Sequence, residues 1–285
     1  MKAYTKKSHV RESANDKIFG FVISLILILF AVITAIPLIS EVAVSLSSKT
    51  ASQMNQINLL PVGFTFDSWK YLFMKGKIWT PFLISVSSTV LGVAIALLLN
   101  VLMAYPLSKT EFRPSKYIML FVVFTMVFAA PKVPYFLTLR SYGLYNNYWV
   151  LILPHIMTAY NLIIVRTFFK QFPRELEEAA MIDGCTPLQT FFKVVFPILK
   201  PTTVTVAILE AMWVWNDYLL PSLVLNINKY KTIPIAIQFL KQSHGQIDWG
   251  AMMAVLVLAI LPIIIFYIAC QKYIIEGVLA GAVKG

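Results

Sequence analysis

The chain has 285 residues, of which 59% are hydrophobic and only 13% are charged. This composition leaves too little polar surface for an ordinary soluble domain and indicates an integral membrane protein. The net charge of +11 does not indicate nucleic-acid binding, because the basic residues are scattered among loops. A positive-inside bias and contact with anionic lipid headgroups explain them more simply.

Four membrane spans are predicted in the first part of the chain. Residues 1–17 are polar and basic, which predicts a cytoplasmic N-terminal tail. The apolar run that follows, residues 18–40, is too long for a typical signal-peptide core, so an uncleaved helix is favoured over a signal peptide. Residues 41–77 are mixed in character and predict an outer loop or a short interfacial helix. The next three spans are predicted at residues 78–108, 117–139 and 148–169, joined by a basic inner loop at 109–116 and an outer turn at 140–147. The third of the four spans is predicted to be interrupted at Pro131, Lys132 and Pro134.

Two further spans are predicted at residues 201–225 and 250–271, with an outer loop at 226–249 between them. Most Lys and Arg residues then lie in segments assigned to the inside, which favours cytoplasmic termini. The sequence therefore predicts an all-α integral membrane protein with six transmembrane helices. Its membrane domain is assigned to residues 18–275 and its cytoplasmic C-terminal tail to residues 276–285.

The segment between the fourth and fifth spans, residues 173–197, has a different character from its apolar neighbours. Pro173 suits a first helical position, and three acidic side chains follow where the helix dipole favours negative charge. Gly184 can adopt a positive φ and end the helix. Thr186 and Gln189 have capping-box spacing, which predicts a second helix start.

The second helix of this segment should carry one apolar face, because its large apolar residues recur at helical spacing. These residues are Leu188, Phe191, Phe192 and Val195. On the first helix, small residues at and beside Leu176, Ala179 and Ala180 would permit close approach by another backbone. The segment thus has the properties of a docking surface outside the bilayer core. A polar loop that merely joins two membrane helices remains an open alternative.

The same segment resembles the EAA loop of ABC importer permeases. That pattern is Glu-Ala-Ala, three residues, Gly, nine residues, then Ile-x-Leu-Pro. This chain matches it with Glu178, Ala179, Ala180, Gly184, Val194, Phe196 and Pro197, where Val194 stands for Ile and Phe196 for Leu. Asp183-Gly184, Trp215-Asn216-Asp217 and the ending Gly277 to Gly285 are typical of the MalG-like carbohydrate-uptake subfamily. The resemblance extends over nearly the whole chain from about residue 18 onward.

The resemblance implies a permease subunit of an ATP-driven sugar importer in the plasma membrane of a prokaryote, with oligosaccharides as the expected cargo. Residues 173–197 would be the cytoplasmic coupling loop, in which Glu178 contacts a basic residue of an ATPase. The small residues Ala179, Ala180 and Gly184 would permit close docking, and Asp183 and Pro197 belong to the same motif. The expected partners are a second related permease, two ATPase subunits that bind ATP and Mg, an extracytoplasmic sugar-binding protein and membrane lipid, but no nucleic acid. A secondary transporter driven by an ion gradient is the alternative, and it would need no acidic docking loop.

The sequence shows no constellation of catalytic or metal-ligating residues. His9, His155 and His244 are far apart, and two cysteines, Cys185 and Cys270, cannot form a structural zinc site alone. No GxxxxGK[ST] phosphate loop occurs, so ATP hydrolysis must be supplied by another chain. We therefore expect no enzymatic activity, no metal and no cofactor in this chain. His155 is expected to have a structural role in its apolar run.

A second group of candidate residues consists of ionisable side chains at membrane depth, which tend to line a polar pathway or to pair with a neighbour. Lys132, Glu210 and Asp217 are such residues, and Glu210 and Asp217 are seven positions apart on one helix face. Trp213 and Asn216 lie near them and add the aromatic and planar polar groups that bind sugars. These five residues are the candidate translocation pathway. A structural pair between Glu210 and Lys132, or a bond across a subunit interface, is the alternative.

Overall fold

The computed structural model describes residues 14–54, 57–74, 78–128, 130–242 and 248–282. Every regular element in these ranges is a helix. The α-helices are α1 Ala14–Ser45, α2 Lys49–Gln53, α3 Asp67–Met74, α4 Trp79–Ser108, α5 Ser115–Val127, α6 Lys132–Ser141, α7 Ala159–Lys170, α8 Arg174–Ile182, α9 Pro187–Thr190, α10 Phe196–Ile198, α11 Lys200–Asn216, α12 Leu219–Val224, α13 Ile233–Gln242 and α14 Trp249–Ala282. Short 3-10 helices cover Tyr148–Leu151, Leu153–His155 and Asn228–Tyr230, and a π-helix covers Phe191–Val195.

Within the described ranges, three helices are long and apolar enough to cross a membrane by themselves: Asn15–Ser45, Trp79–Ser108 and Trp249–Lys272. Three further spans form only as bent pairs of helices, with bends of 119°, 43° and 75°. These pairs are Ser115–Val127 with Lys132–Ser141, Tyr148–His155 with Ala159–Lys170, and Pro187–Ile198 with Lys200–Val224. When each bent pair is counted as one span the total is six, as the sequence predicts.

The bend in the third span lies at the interruption that the sequence predicts there, whereas the bends in the fourth and fifth spans were not predicted. Proline lacks a backbone N–H and interrupts the helical hydrogen-bond ladder, so helices restart beside it. Pro131 precedes α6, Pro154 lies in a 3-10 helix before α7, and Pro201 lies in the first turn of α11. The fifth span ends at Val224, within one residue of its predicted end, but it is divided again near that end, because α11 stops at Asn216 and α12 begins at Leu219.

One compact unit comprises residues 1–70 and 248–257. In its described part, α1 exposes apolar side chains on all sides over its membrane-spanning stretch, as expected for a helix facing lipid or another chain. The helix begins at Ala14 and ends at Ser45, beyond both predicted ends of the first span. After it the chain folds back, and the backbone N–H of Thr65 donates to Leu46 O at 2.9 Å.

The second unit comprises residues 71–247 and 258–285, and α4 packs against both α7 and α11 in it. The buried face of α4 carries small and polar residues three or four positions apart, which lets neighbouring helices approach closely. These residues are Ser85, Ser88, Gly92, Ala96, Asn100 and Ala104. Towards its C-terminal end, α4 joins an apolar core that includes Leu107, Val165, Phe169, Phe191 and Val195. This core supports the segment 173–197.

Helix α14 continues without a break to Ala282, although the sequence places the end of the last span at residue 271. The side chains beyond Lys272 and the last three residues lie outside the described part of the chain. The predicted tails, residues 1–17 and 276–285, therefore remain predictions.

Candidate coupling and translocation sites

The segment 173–197 begins with α8, which ends in a glycine turn. Asp183 is the C-cap and Gly184 has φ 85°. The N–H of Gly184 donates to Met181 O and the N–H of Cys185 donates to Ala180 O, both at 3.0 Å. This is a Schellman motif, in which the glycine satisfies carbonyl groups that the helix end would leave unpaired. The sequence prediction of a stop at Gly184 is confirmed, whereas Pro173 is the N-cap of α8 and not its first helical residue.

The second helix start has the predicted capping box. The Thr186 N–H donates to Gln189 Oε1 at 2.9 Å, and the Gln189 N–H donates to Thr186 Oγ1 at 3.3 Å. The predicted single apolar face is wrong, however. Phe191 and Val195 are buried, while Leu188 and Phe192 are exposed, because the π-helix at 191–195 changes the angular spacing of the side chains.

The EAA motif is divided between two faces of α8. Glu178, Ala179, Asp183, Gly184 and Pro197 are exposed, whereas Ala180 is buried. The predicted small-residue face is thus split, with Leu176 and Ala179 outward and Ala180 inward. The exposed part of α8 also carries two large apolar side chains, Met181 and Ile182, and Leu188 of α9 is exposed as well. Ile182 is 87% exposed, so this face offers both a carboxylate and apolar surface for a partner.

The inner face of α8 is held by three residues that we name the inner latch: Tyr105, Lys109 and Glu177. The Lys109 Nζ donates to Glu177 Oε2, and the Tyr105 hydroxyl donates to the same oxygen at 3.2 Å. The Lys109 Nζ also lies 4.5 Å from the centre of the Tyr105 ring, in cation–π geometry. The Glu177 side chain is only 9% exposed and that of Lys109 is 25% exposed. The inner latch therefore joins the segment 173–197 to the end of α4.

An exposed ion pair flanks the inner latch. Arg174 Nη1 lies 3.0 Å from Glu111 Oε1, and Arg174 Nη2 donates to Thr110 Oγ1 at 2.7 Å. The backbone N–H of Glu111, followed by the Thr110 hydroxyl and Arg174, holds the pKa of the Glu111 carboxyl below its usual range. Because both ends are exposed, this pair contributes little stability.

Sequence analysis does not single out the inner latch. The EAA resemblance points to Glu178 as a contact residue, but it gives Glu177 no role, and only the fold shows that Glu177 is the buried one of the two. The available signal is the basic loop that begins at Lys109, since a short basic loop near an acidic turn permits pairing.

The ionisable residues at membrane depth have two different environments. Glu210 is 1% exposed, and the Asn161 amide donates to its Oε2 at 2.5 Å. Lys132 is exposed at the start of α6 and makes no ion pair within the described ranges. The alternative of a Glu210–Lys132 pair is therefore wrong within the described ranges, where Asn161 of α7 donates to Glu210 Oε2 and Glu210 Oε1 has no hydrogen-bond partner.

Asp217 lies beside a concavity of about 760 Å³. The concavity is lined by Tyr135, Pro154, His155, Met212, Trp213, Asn216, Asp217, Tyr218, Leu219 and Leu220. His155 Nε2 is 3.1 Å from Asp217 Oδ2, and Trp213 is 68% exposed. Three of the five predicted pathway residues thus meet here, while Lys132 and Glu210 do not line the concavity. His155 has a hydrogen-bond partner, as expected of a structural histidine, but it also lines this surface.

Over the part of the chain that is described, no group of three or more His, Cys, Asp or Glu side chains is arranged to hold a metal ion. Cys185 and Cys270 are both free thiols.

Comparison with known proteins identifies the family. Residues 115–279 match the family described as "Binding-protein-dependent transport system inner membrane component". A polygalacturonan/rhamnogalacturonan transport permease of Bacillus subtilis is 36% identical over 95% of this chain and 100% of its own length. A trehalose transport permease of Mycobacterium tuberculosis is 34% identical, over 85% of this chain and 90% of its own.

A solved structure of a bacterial ABC transporter that imports the acidic polysaccharide alginate contains a chain with the same fold. The TM-score is 0.82 at 29% identity, over 92% of this chain and 99% of that one. The region that matches the family, residues 115–279, includes the segment 173–197 and the concavity residues of α11. The chain therefore belongs to the family of binding-protein-dependent transport system inner membrane components, and it is a multi-pass permease subunit of an ABC importer in a prokaryotic plasma membrane.

Proposed function

We propose that this chain is one of two related permease subunits of an ATP-driven oligosaccharide importer. The observation that carries the proposal is the full-length likeness to a permease for polygalacturonan and rhamnogalacturonan. A second full-length relative carries arabinooligosaccharides, and the related solved structure imports alginate. All three cargoes are saccharide chains. The likeness to ABC systems favours this function over transport driven by an ion gradient.

The exposed face of α8 is the proposed contact with an ATPase subunit. Glu178 offers a carboxylate to a basic residue, and Met181 and Ile182 offer apolar surface around it. Ala179 and the turn at Gly184 leave room for close approach by a partner backbone. ATP and Mg would be bound by two ATPase subunits, so the role of this chain is to receive their movement. This arrangement requires the segment 173–197 and both termini to lie in the cytoplasm.

The concavity at Asp217 is the proposed contribution of this chain to the translocation pathway. Saccharides present hydroxyl groups and flat C–H faces, which bind planar polar groups and aromatic rings. Asn216, Asp217 and His155 supply the polar groups, and Trp213 supplies an exposed ring. The second permease would close the other side of the pathway, and a saccharide-binding protein would deliver cargo at the outer loop 226–249.

The experiment that tests this function is a survey of saccharides on the complete transporter. The chain is purified with its second permease, its ATPase and its binding protein, and ATP hydrolysis is measured with neutral and acidic oligosaccharides. We expect at least one oligosaccharide to stimulate hydrolysis only when the binding protein is present. Equal hydrolysis with every saccharide and with none would contradict the proposal.

A further inference from the structure

Helix α4 is continuous from Trp79 to Ser108, with Pro106 in its last turn, and the inner latch lies at its C-terminal end. It has 30 residues, which corresponds to a length of about 45 Å. Its buried face packs against α7 and against α11, and α11 carries Met212, Trp213 and Asn216 of the concavity. The two ends of α4 are each attached to a different segment by side-chain hydrogen bonds.

The inner end is attached by the inner latch. The Glu177 carboxylate takes both the Lys109 ammonium and the Tyr105 hydroxyl as partners, and it is largely buried. The Tyr105 ring packs against Phe169 at 5.5 Å and against Phe191 at 4.9 Å, measured between ring centres. Removing one member of a buried ion pair leaves an uncompensated charge, which is strongly unfavourable. The contact therefore resists separation of α8 from α4.

The outer end is attached to two segments by serines of α4. Ser85 Oγ accepts the backbone N–H of Ile233 at 2.9 Å, at the start of α13. Tyr148 Oη and Ser87 Oγ are 2.9 Å apart, at the start of the first 3-10 helix. The chain from Tyr148 continues to His155, which lines the concavity. Both attachments lie at the opposite end of α4 from the inner latch.

We propose that the inner latch makes α4 the element that carries movement of α8 to the outer loops and to the concavity. Tyr105, Lys109 and Glu177 are then positioning residues for coupling, distinct from the exposed motif residues that face the ATPase. The inference depends on the proposed function, because it assumes that an ATPase moves α8. Coupling between two sites of a protein typically corresponds to roughly 5–150-fold changes in affinity.

The test compares Glu177→Gln and Lys109→Met with the exchanged pair Lys109→Glu/Glu177→Lys in the complete transporter. The matched control is Glu111→Gln, which makes the same carboxylate-to-amide change in an exposed pair. Saccharide uptake and ATP hydrolysis are measured together in proteoliposomes, and ATPase co-purification checks assembly. A second measurement follows thiol labelling of Asn228→Cys, in a background without Cys185 and Cys270, with and without ATP.

The two single variants should transport roughly five- to tenfold less saccharide per ATP while the ATPase still co-purifies. The ATP-dependent change in labelling at residue 228 should be lost in them and regained in the exchanged pair, and Glu111→Gln should match the wild type. The proposed role of the inner latch would be overturned if both single variants transported as much saccharide per ATP as the wild type. It would also be overturned if the exchanged pair did not regain the ATP-dependent change in labelling that the single variants lose. If the wild-type complex itself shows no saccharide-dependent hydrolysis, the proposed function fails instead.

Discussion

His155 Nε2 lies 3.1 Å from Asp217 Oδ2, which ties the 3-10 helix before α7 to the C-terminal end of α11. A carboxylate can only accept, so the imidazole nitrogen is the donor. Both side chains are 18% exposed and line the same concavity. The pair therefore positions a carboxylate at the surface where we place the saccharide.

Asp217→Asn should reduce uptake at low saccharide concentration by roughly tenfold, because hydrogen bonds to charged groups contribute about 1.5–3 kcal/mol. Uptake kinetics in proteoliposomes measure the effect. Asp248→Asn is the control, since its ion pair with Lys49 is exposed and should matter little. Uptake kinetics of Asp217→Asn equal to those of the wild type would remove Asp217 from the pathway.

Gly184→Val should weaken ATPase association and reduce uptake while the protein still inserts in the membrane. The expected effect comes from backbone strain, because Gly184 has φ 85°. It does not come from a steric clash, since a β-carbon at this position would meet no atom within 4 Å. A left-handed conformation costs a residue with a side chain about 1–2 kcal/mol, and asparagine tolerates it better. Gly184→Asn should therefore retain more ATPase than Gly184→Val, as measured by co-purification. Equal retention would show that the turn does not govern docking.

Cysteines introduced on the two proposed sides of the membrane should behave differently. Glu178→Cys, on the exposed face of α8, should crosslink to the ATPase, and Asn228→Cys should react with an impermeant reagent added outside whole cells. Labelling of both positions from the same side would contradict the proposed topology.

Asn161→Leu should lower the stability of the protein by about 1–3 kcal/mol, because the buried Glu210 carboxylate would lose its donor. Thermal unfolding in detergent measures this. Replacing both partners in Asn161→Leu/Glu210→Met should recover part of the loss, since apolar pairs often replace buried polar ones without penalty. A double variant less stable than Asn161→Leu would show that Glu210 has another essential partner.

The parts of the fold that depend only on residues close together in sequence could be predicted from the sequence. The capping box at Thr186 and the stop at Gly184 need only residues within one turn, and the long apolar runs need only their own composition. The division of Glu177 from Glu178 was not predictable, because Tyr105 and Lys109 are about 70 residues away in sequence. The same holds for His155, whose partner is 62 positions away, and for Asn161 with Glu210.

The bend angles of the third and fourth spans could not be predicted from neighbouring residues in the sequence. Pro131 and Pro154 indicate interruptions, but the angles of 119° and 43° depend on how the flanking helices pack. The π-helix at 191–195 has no sequence signal of its own. Because of it, Phe191 and Val195 are buried while Leu188 and Phe192 are exposed, although the sequence predicts one shared apolar face.

The most direct test of the central claim is saccharide accumulation in proteoliposomes under two energy sources. One preparation contains the complete transporter with enclosed ATP, and the other contains the two permeases without the ATPase under an imposed ion gradient. We expect accumulation only in the first, and none there when a non-hydrolysable ATP analogue replaces ATP. Accumulation driven by the gradient in the absence of the ATPase would contradict the assignment of this chain to an ATP-coupled importer.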